Sequence, residues 1–331
     1  MDRPVVITHH ELVLEIKQTG RKNPVTPLTR ISIFDIFSKL QNKGYETKDR
    51  RFKDNRFCGL LPIISVSASK NRVDLMLCLS DKDADNQIVR DFDNVQNIRP
   101  LTRKDTEGVD SIAHVVISLD KTTPTVSKFA IERKTGLTPR FFIDTLNYFL
   151  KDLIAAYPDE FKGNHPTDKD SKGNPKKLPL KLKFEYESVL SDEIVNAFEK
   201  GRVKDVLFHE KLPQSKPFDP YGNFVPNKRT VHLDVQGKLI NQNSRTTKEK
   251  LSDLKAGFKG VIKGNKSLKG TTFTIKFQSE SGQNQTAYYD STYDELSLAK
   301  KTYLPESVKE PIKKPLTLNQ ELCNKMFLQI K

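Results

Sequence analysis

Apolar positions along the first half of the chain repeat mainly with the period of β-strands. Alternating apolar residues predict a strand or strand pair at 4–19 and strands at 57–67 and 72–80, since every second side chain of a strand faces the same side. The nearly continuous apolar run at 112–119 predicts a centrally buried strand, and 126–132 predicts a further strand after a polar turn. This half therefore contains several strands joined by turns.

Helical periodicity interrupts these strands at two places. Ser32 is a suitable N-cap for a helix over 32–42, and Asp35 completes a capping-box spacing. Thr138 as N-cap and Pro139 at the first helical position open a second helix. Its apolar residues recur every three or four positions, at Phe142, Leu146, Phe149, Leu150 and Leu153.

The second half continues the alternation of strands and helices. Ser191 is a predicted N-cap, and helices are predicted at 246–262 and 317–330. Strand patterns occur at 180–188, 202–208, 230–236, 271–278 and 284–289. The mixture of hairpin-linked strands and intervening helices predicts an α+β fold with mixed or antiparallel sheets and packed helices.

A change of composition predicts the division into two domains. Residues 162–179 are polar and rich in Gly, Pro and Lys, which is typical of a linker or a long loop. We therefore expect an N-terminal α+β domain at 1–161. A C-terminal α+β domain at 180–331 would contain a basic helix and the C-terminal helix.

Charge and composition narrow the classes of function. The chain has 56 Lys and Arg against 42 Asp and Glu, a net charge of +14, which favours a polyanionic partner such as DNA or RNA. No apolar run is long enough to cross a membrane, and the N-terminus does not resemble a signal peptide. The 3 cysteines fit neither a disulfide framework nor a zinc site, so a reducing cytoplasm is expected.

Basic residues cluster in several separated segments, at 48–56, 133–140, 162–181 and 245–269. Within 245–269, lysines four residues apart share one helix face, and a bound polyanion would relieve their mutual repulsion. The alternative is that this helix face is only solvated. No recognition helix or zinc finger occurs, so the binding expected is sequence-independent. The candidate nucleic-acid-binding residues are Arg50, Arg51, Lys53, Arg133, Lys134, Arg140, Lys176, Lys177, Lys255, Lys259, Lys263 and Lys266.

One short motif suggests a nuclease instead. Glu132, Arg133 and Lys134 form an ExK triplet at a predicted strand end, as in PD-(D/E)xK nucleases, where two carboxylates hold Mg²⁺ and a lysine assists the attacking water. Asp110 would supply the second carboxylate, since Asp120 lies at the wrong end of the predicted hairpin. Alternatively, the strand end only faces solvent or phosphate. Outside this Mg²⁺-dependent alternative, no catalysis, cofactor or metal is expected.

The order of elements resembles a known group of proteins over residues 30–210. The layout is similar to that of the RexA phage-exclusion family. The segments that carry this similarity are the helix SIFDIFSKL, the strand pair FCGLLPIISV and DLMLCLSD, the segment HVVISLD–KFAIERKTGLTPRFFIDTLNYFL, and DEIVNAFEKGRVKDVLF. They are also similar to the KwaB-type DNA-binding components of bacterial phage-defence systems. The resemblance implies a cytoplasmic, homodimeric, non-enzymatic DNA-binding protein, with a possible partner protein of a defence system. Residues 215–331 have no counterpart in it.

Three functions remain open from the sequence. The first is sequence-nonspecific DNA binding, with a possible role in anti-phage defence or abortive infection. The second is the Mg²⁺-dependent nuclease with Asp110, Glu132 and Lys134. The third is a protein-interaction scaffold whose basic surface only confers solubility.

Overall fold

The chain divides into two compact units, which are described separately. Unit 1 comprises Met1–Glu187 and Lys301–Lys331, and unit 2 comprises Ser188–Lys300. The prediction of an α+β fold is confirmed, because antiparallel sheets combine with packed helices. The computed structural model describes residues 4–19, 27–84, 88–90, 96, 98–100, 102–189, 191–192, 196–197, 203–211, 228–233, 249, 272–278, 284–290, 295–296, 299–305 and 316–331.

Unit 1 contains the larger sheet and three α-helices among its described residues. The helices are α1 (Ile33–Asn42), α2 (Pro139–Ala156) and α3 (Gln320–Ile330), with short 3-10 helices at Tyr45–Thr47 and Pro158–Phe161. The strands are β1 (Val5–Gln18), β2 (Asp49–Phe52), β3 (Phe57–Ser67), β4 (Arg72–Asp81), β5 (Ile88–Arg90), β6 (Ile98–Pro100), β7 (Val109–Leu119), β8 (Val126–Glu132), β9 (Lys162–Lys169), β10 (Pro175–Ser188) and β16 (Lys301–Leu304).

Nine of these strands form one sheet. Its order is β2-β3-β4-β7-β8-β1-β10-β9, with β16 also paired to β1, while β5 and β6 form a separate pair. The predicted hairpins β3–β4 and β7–β8 are confirmed as antiparallel. The predicted strand at 4–19 is a single long strand, and its first half pairs with both β8 and β16. Strands distant in sequence are therefore neighbours in this sheet.

The main core lies between one face of the sheet and helices α1 and α2. Alternate residues of the central strands point to this face, including Leu75 of β4 and Val115 of β7, and both are fully buried. Each helix begins where the sequence predicts. Ser32 and Asp35 form the predicted capping box of α1, and the side chain of Thr138 accepts a hydrogen bond from the N–H of Phe141 in α2.

The opposite face of the sheet packs against α3. The residues that alternate with the main core, such as Val116 and Ala130, form a second apolar cluster with Leu322, Cys323 and Met326 of this helix. The central strands are consequently buried on both faces, which explains the continuous apolar run of β7. The C-terminal helix predicted at 317–330 is thus part of unit 1.

The division into compact units differs from the predicted domain boundaries. Residues 162–179 are mostly strand, because β9 and β10 form an antiparallel hairpin at the edge of the nine-stranded sheet. Their composition concealed this, since only one side of β10 is apolar: Leu178, Leu180, Leu182 and Phe184 are buried. The strands β10 and β16 and helix α3, all within the predicted C-terminal domain at 180–331, belong to unit 1.

Unit 2 contains a five-stranded antiparallel sheet of order β12-β11-β13-β14-β15. Its strands are β11 (Val203–Lys211), β12 (Lys228–Leu233), β13 (Thr272–Gln278), β14 (Asn284–Asp290) and β15 (Glu295–Leu296). The first four of them correspond to the strands predicted at 202–208, 230–236, 271–278 and 284–289, and β13 and β14 are antiparallel neighbours as the hairpin pattern predicts.

Candidate nucleic-acid interface

The basic segment 48–56 is largely neutralised within unit 1. Three of its five cations have a carboxylate oxygen within 3.2 Å of a side-chain nitrogen: Lys48 with Asp152 at 2.6 Å, Arg51 with Asp49 at 2.7 Å and Arg56 with Asp81 at 3.2 Å. A cation that already has a carboxylate partner must exchange it in order to bind a phosphate. This segment is therefore a weaker anion-binding surface than its sequence suggests.

The other two cations of this segment differ from each other. Arg50 points towards α2, where its guanidinium donates to the hydroxyl of Thr145 at 3.3 Å, and burial lowers the pKa of this side chain from its usual value. Lys53 is exposed at the tip of the β2–β3 hairpin, and its ammonium lies 5.1 Å from the centre of the Phe57 ring. Of the five cations in segment 48–56, Lys53 alone is exposed without a described carboxylate partner.

The basic segment 133–140 is also partly neutralised. Lys134 is paired with Glu132 at 2.8 Å, and Arg140 is paired with Asp144 at 3.1 Å, one helical turn further along α2. Arg133 is exposed and has no ion pair with a described carboxylate. The two predicted binding segments near β2 and β8 thus leave few cations unpaired.

The register of β7 and β8 separates the proposed nuclease ligands. Val115 lies opposite Ile131, so Glu132 lies beside His114 and not beside Asp110. Asp110 precedes His114 by four residues on β7, so the two positions are about 13 Å apart at a rise of about 3.3 Å per residue. One Mg²⁺ ion requires its oxygen ligands within about 2.1 Å of the metal. The predicted site of Asp110, Glu132 and Lys134 is therefore not assembled, although Glu132 and Lys134 are in contact.

Glu132 instead holds α3 onto the sheet. Its buried carboxylate accepts hydrogen bonds from the side-chain Nδ1 of His114 at 3.0 Å and from Lys134. The other ring nitrogen of His114, Nε2, accepts from the backbone N–H of Asn319, the N-cap of α3, at 3.2 Å. This arrangement places the single proton of a neutral imidazole on Nδ1. The ExK triplet is consequently part of a structural hydrogen-bond chain.

The β9–β10 hairpin presents a different balance of charge. Residues 162–183 contain seven lysines against two aspartates, a surplus of five positive charges. Both aspartates are engaged locally, because Asp168 lies 3.4 Å from His165, while Asp170 accepts from the N–H groups of Lys172 and Asn174 in the turn. The carboxylates of the hairpin therefore leave most of its lysines unneutralised.

Four hairpin lysines are exposed without an ion pair to any described carboxylate. They are Lys169, Lys172, Lys176 and Lys181. Of the other three, Lys162 pairs with Asp159 at 2.6 Å, Lys183 pairs with Glu185 at 2.5 Å, and Lys177 donates to the amide oxygen of Asn164 at 2.9 Å. Among the described residues, the hairpin therefore has more exposed cations without a carboxylate partner than segment 48–56 or segment 133–140.

The backbone of the hairpin holds these lysines in a defined ribbon. Gly173 adopts a φ of +81°, which a glycine tolerates without strain, and its N–H donates to the carbonyl of Asp170 at 3.0 Å. On β10 the buried leucines alternate with Lys181 and Lys183, so these two ammonium groups leave the same face of the strand. Lys176 and Lys177, two of the predicted binding residues, lie at the start of β10.

The basic residues predicted to bind phosphate within 245–269 lie outside the described residues. They are Lys255, Lys259 and Lys263, spaced four residues apart on one face of the predicted helix, and Lys266. Their contact with phosphate stays a prediction.

Two further features bear on the chemistry open to the protein. Among the described residues, no group of three or more His, Cys, Asp or Glu side chains is arranged to hold a metal ion. No α-helix in the same part of the chain is long and apolar enough to span a membrane.

Comparison with known proteins adds no further assignment. No protein-family model, no curated protein and no solved structure matches this chain.

Proposed function

We propose that the protein binds nucleic acid, with DNA as the expected ligand, independently of sequence and through the lysines of the β9–β10 hairpin. The observation that carries this proposal is the difference in neutralisation between basic segments. Segments 48–56 and 133–140 have most of their cations paired or buried, whereas the hairpin has four exposed lysines without a described carboxylate partner. Unpaired cations gain the most from a phosphate backbone, because no existing ion pair is lost.

The shape and chemistry of the hairpin suit a phosphate backbone. From Lys176 to Lys183 the strand extends about 24 Å, at about 3.4 Å per residue, so several phosphates can be contacted at once. Lysine is a flexible point charge, which positions phosphates without reading base edges. Binding of this kind is driven by the release of condensed counterions and is therefore independent of sequence and sensitive to salt.

A variant with four hairpin lysines replaced tests the proposal. For K169Q/K172Q/K176Q/K181Q, we expect weaker binding to every duplex sequence and a slope of log affinity against log salt reduced by about 3.6, at about 0.9 per phosphate contact. The measurement is fluorescence anisotropy with two unrelated duplexes between 50 and 200 mM NaCl, the salt range over which such contacts are lost.

The matched control removes the same charge from lysines that already have carboxylate partners. The control variant is K17Q/K48Q/K300Q/K325Q, and it changes the net charge by the same four units. In the wild type, these four lysines form ion pairs with Glu15, Asp152, Asp192 and Glu321, respectively. We expect its salt slope to stay within about one unit of the wild type. Equal losses of DNA affinity in both variants would show that net charge alone attracts DNA. A wild-type affinity that does not depend on salt would contradict the proposal altogether.

The resemblance to phage-exclusion and phage-defence proteins extends this proposal. We infer a cytoplasmic homodimer that acts in anti-phage defence, and the support for this is the layout of elements over residues 30–210. A plating assay with and without the protein tests the defence role, and light scattering of the purified chain tests the dimer. A monomer with no effect on phage plating would remove this extension and leave the binding proposal intact.

A further inference from the structure

A basic hollow lies beside the hairpin at the edge of the nine-stranded sheet. Its volume is about 640 Å³, and this open depression is lined by the segment 28–31, helix α1 and the two hairpin strands. A pair of backbone hydrogen bonds fixes its outer wall: the N–H of Leu28 donates to the carbonyl of Asn164 at 2.9 Å, and the N–H of Asn164 donates to the carbonyl of Leu28 at 2.8 Å. The hollow is therefore formed by structured backbone.

Four cations from four different segments line this hollow. They are Arg30 before α1, Lys39 on α1, Lys162 on β9 and Lys177 on β10. Three of them are held in place, because Lys39 is paired with Glu160, Lys162 with Asp159, and Lys177 with the amide oxygen of Asn164. Arg30 is exposed and makes no ion pair with a described carboxylate. These four cations line the same hollow, whereas the exposed lysines of the hairpin are distributed along its strands.

Among the described residues, one carboxylate lines the hollow. It belongs to Asp35, and its Oδ2 accepts from both the backbone N–H and the hydroxyl of Ser32. Asp159 and Glu160, which hold two of the lysines, are not part of the lining. Because Lys39 and Lys162 already have carboxylate partners, Arg30 and Lys177 are the two lining cations without one among the described residues, and they face Asp35, whose carboxylate caps α1.

The remaining lining suits a nucleotide more than a bare inorganic ion. Leu28 is 59% exposed at the rim, and Ile31 lies beside it, so a sugar or base has an apolar surface to contact. A phosphate monoester carries a charge between −1.5 and −2 at neutral pH, compared with −1 for a diester within a strand. Converging cations therefore favour a terminal phosphate over an internal one.

We propose that this hollow holds the terminal phosphate monoester of a nucleic-acid strand whose backbone follows the β9–β10 hairpin. The inference rests on the proposed function, and Lys177 connects the two surfaces because it belongs to the hairpin and lines the hollow. It assigns Arg30, which no sequence pattern singled out, together with Lys177 as the ligands of the strand end.

The test compares three forms of one 12-nucleotide strand, with a 5′-phosphate, with a 3′-phosphate or with neither, by anisotropy on the full chain. We expect one phosphorylated form to bind about tenfold more tightly than the unphosphorylated strand, as one additional set of charge-assisted hydrogen bonds would provide. The R30Q/K177Q variant should lose this preference. The control K121Q/K151Q, which removes two exposed lysines outside the lining, should keep it. Thermal melting of both variants verifies that they are folded.

The outcomes separate this inference from the proposed function. Equal affinity for all three strands would overturn the terminal-phosphate site and leave backbone binding in place. No binding of any strand or of duplex DNA would overturn the proposed function itself. A nucleoside 5′-monophosphate that binds as tightly as the phosphorylated strand would also overturn the inference, since the ligand would then be a free nucleotide. If R30Q/K177Q still prefers the phosphorylated strand, the terminal phosphate binds outside this hollow and the inference is overturned.

Discussion

Replacing Asp74 by alanine is expected to destabilise unit 1 by about 3–5 kcal/mol, which is typical when one partner of a buried ion pair is removed. Asp74 accepts from Nε of Arg72 at 2.5 Å, and the two side chains are 10% and 5% exposed. Burial raises the pKa of the Asp74 carboxyl above its usual value, and the opposing effect of Arg72 offsets this only in part. The variant leaves a buried guanidinium without its counter-ion.

Among the described residues, Asp74 is the only carboxylate that forms an ion pair with Arg72. One of its terminal nitrogens, Nη1, donates to the side-chain oxygen of Asn324 on α3 at 2.7 Å, and its guanidinium lies 5.1 Å from the centre of the Phe327 ring. The other terminal nitrogen, Nη2, is buried without a hydrogen-bond partner in the described structure. The free energy of unfolding, measured by urea denaturation followed by circular dichroism, reports the loss.

A double variant provides the control for this prediction. R72M/D74L removes both charges and fills the same space with apolar atoms, so its stability should lie within about 1 kcal/mol of the wild type or exceed it. If D74A and the double variant lose the same free energy, packing explains the effect and the stranded charge does not. A loss below about 1 kcal/mol in D74A would mean that water reaches Arg72 once Asp74 is removed.

The second large effect concerns Glu132 and its dependence on pH. Burial by itself raises the pKa of this carboxyl, but the hydrogen bonds from His114 and Lys134 outweigh it and hold the pKa below the usual value of 4.5. A carboxyl with a lowered pKa in the folded state stabilises the protein above its unfolded pKa, and this contribution is lost as the pH falls through the folded pKa. Stability from this site is therefore complete near neutral pH and absent in acid.

We expect E132Q to lower the free energy of unfolding by about 2–3 kcal/mol at pH 7, the contribution typical of hydrogen bonds to a charged group. The difference from the wild type should shrink as the pH falls below about 4.5, since both proteins then carry a neutral group at this position. Urea denaturation between pH 3 and pH 7 measures this difference.

A surface carboxylate on α3 provides the control. Glu321 is 57% exposed and pairs with Lys325 one turn away, so E321Q should cost no more than about 0.5 kcal/mol across the pH range. A constant difference between E132Q and the wild type at all pH values would show that the effect comes from packing. It would contradict the assignment of Glu132 as a charged anchor for His114 and Lys134.

Local patterns in the sequence were sufficient for most of the secondary structure. The starts of α1 and α2 depend on Ser32 and Thr138, whose side chains bond to N–H groups only three residues away. In the hairpins β3–β4 and β7–β8, a short turn joins the two strands, and the apolar pattern is visible along each strand. Such features are predictable because the interacting residues are neighbours in the chain.

The boundary of unit 1 was not predictable from composition. The hairpin at 162–183 has the polar character of a linker, and it becomes part of the sheet because one side of β10 packs on the main core. The strand β16 and helix α3 return to unit 1 from the far end of the chain. These contacts join residues more than a hundred positions apart, for which no local pattern exists.

The sequence by itself determined that this protein combines antiparallel strands with capped helices and carries a large positive charge. Only the tertiary structure decided which of those charges are free to bind an anion. Lys48 and Lys134 are neutralised by Asp152 and Glu132, while Lys169 and Lys181 have no such partner among the described residues. The reason is physical: a cation's availability depends on carboxylates that folding brings within about 4 Å, and the register of the sheet sets those distances.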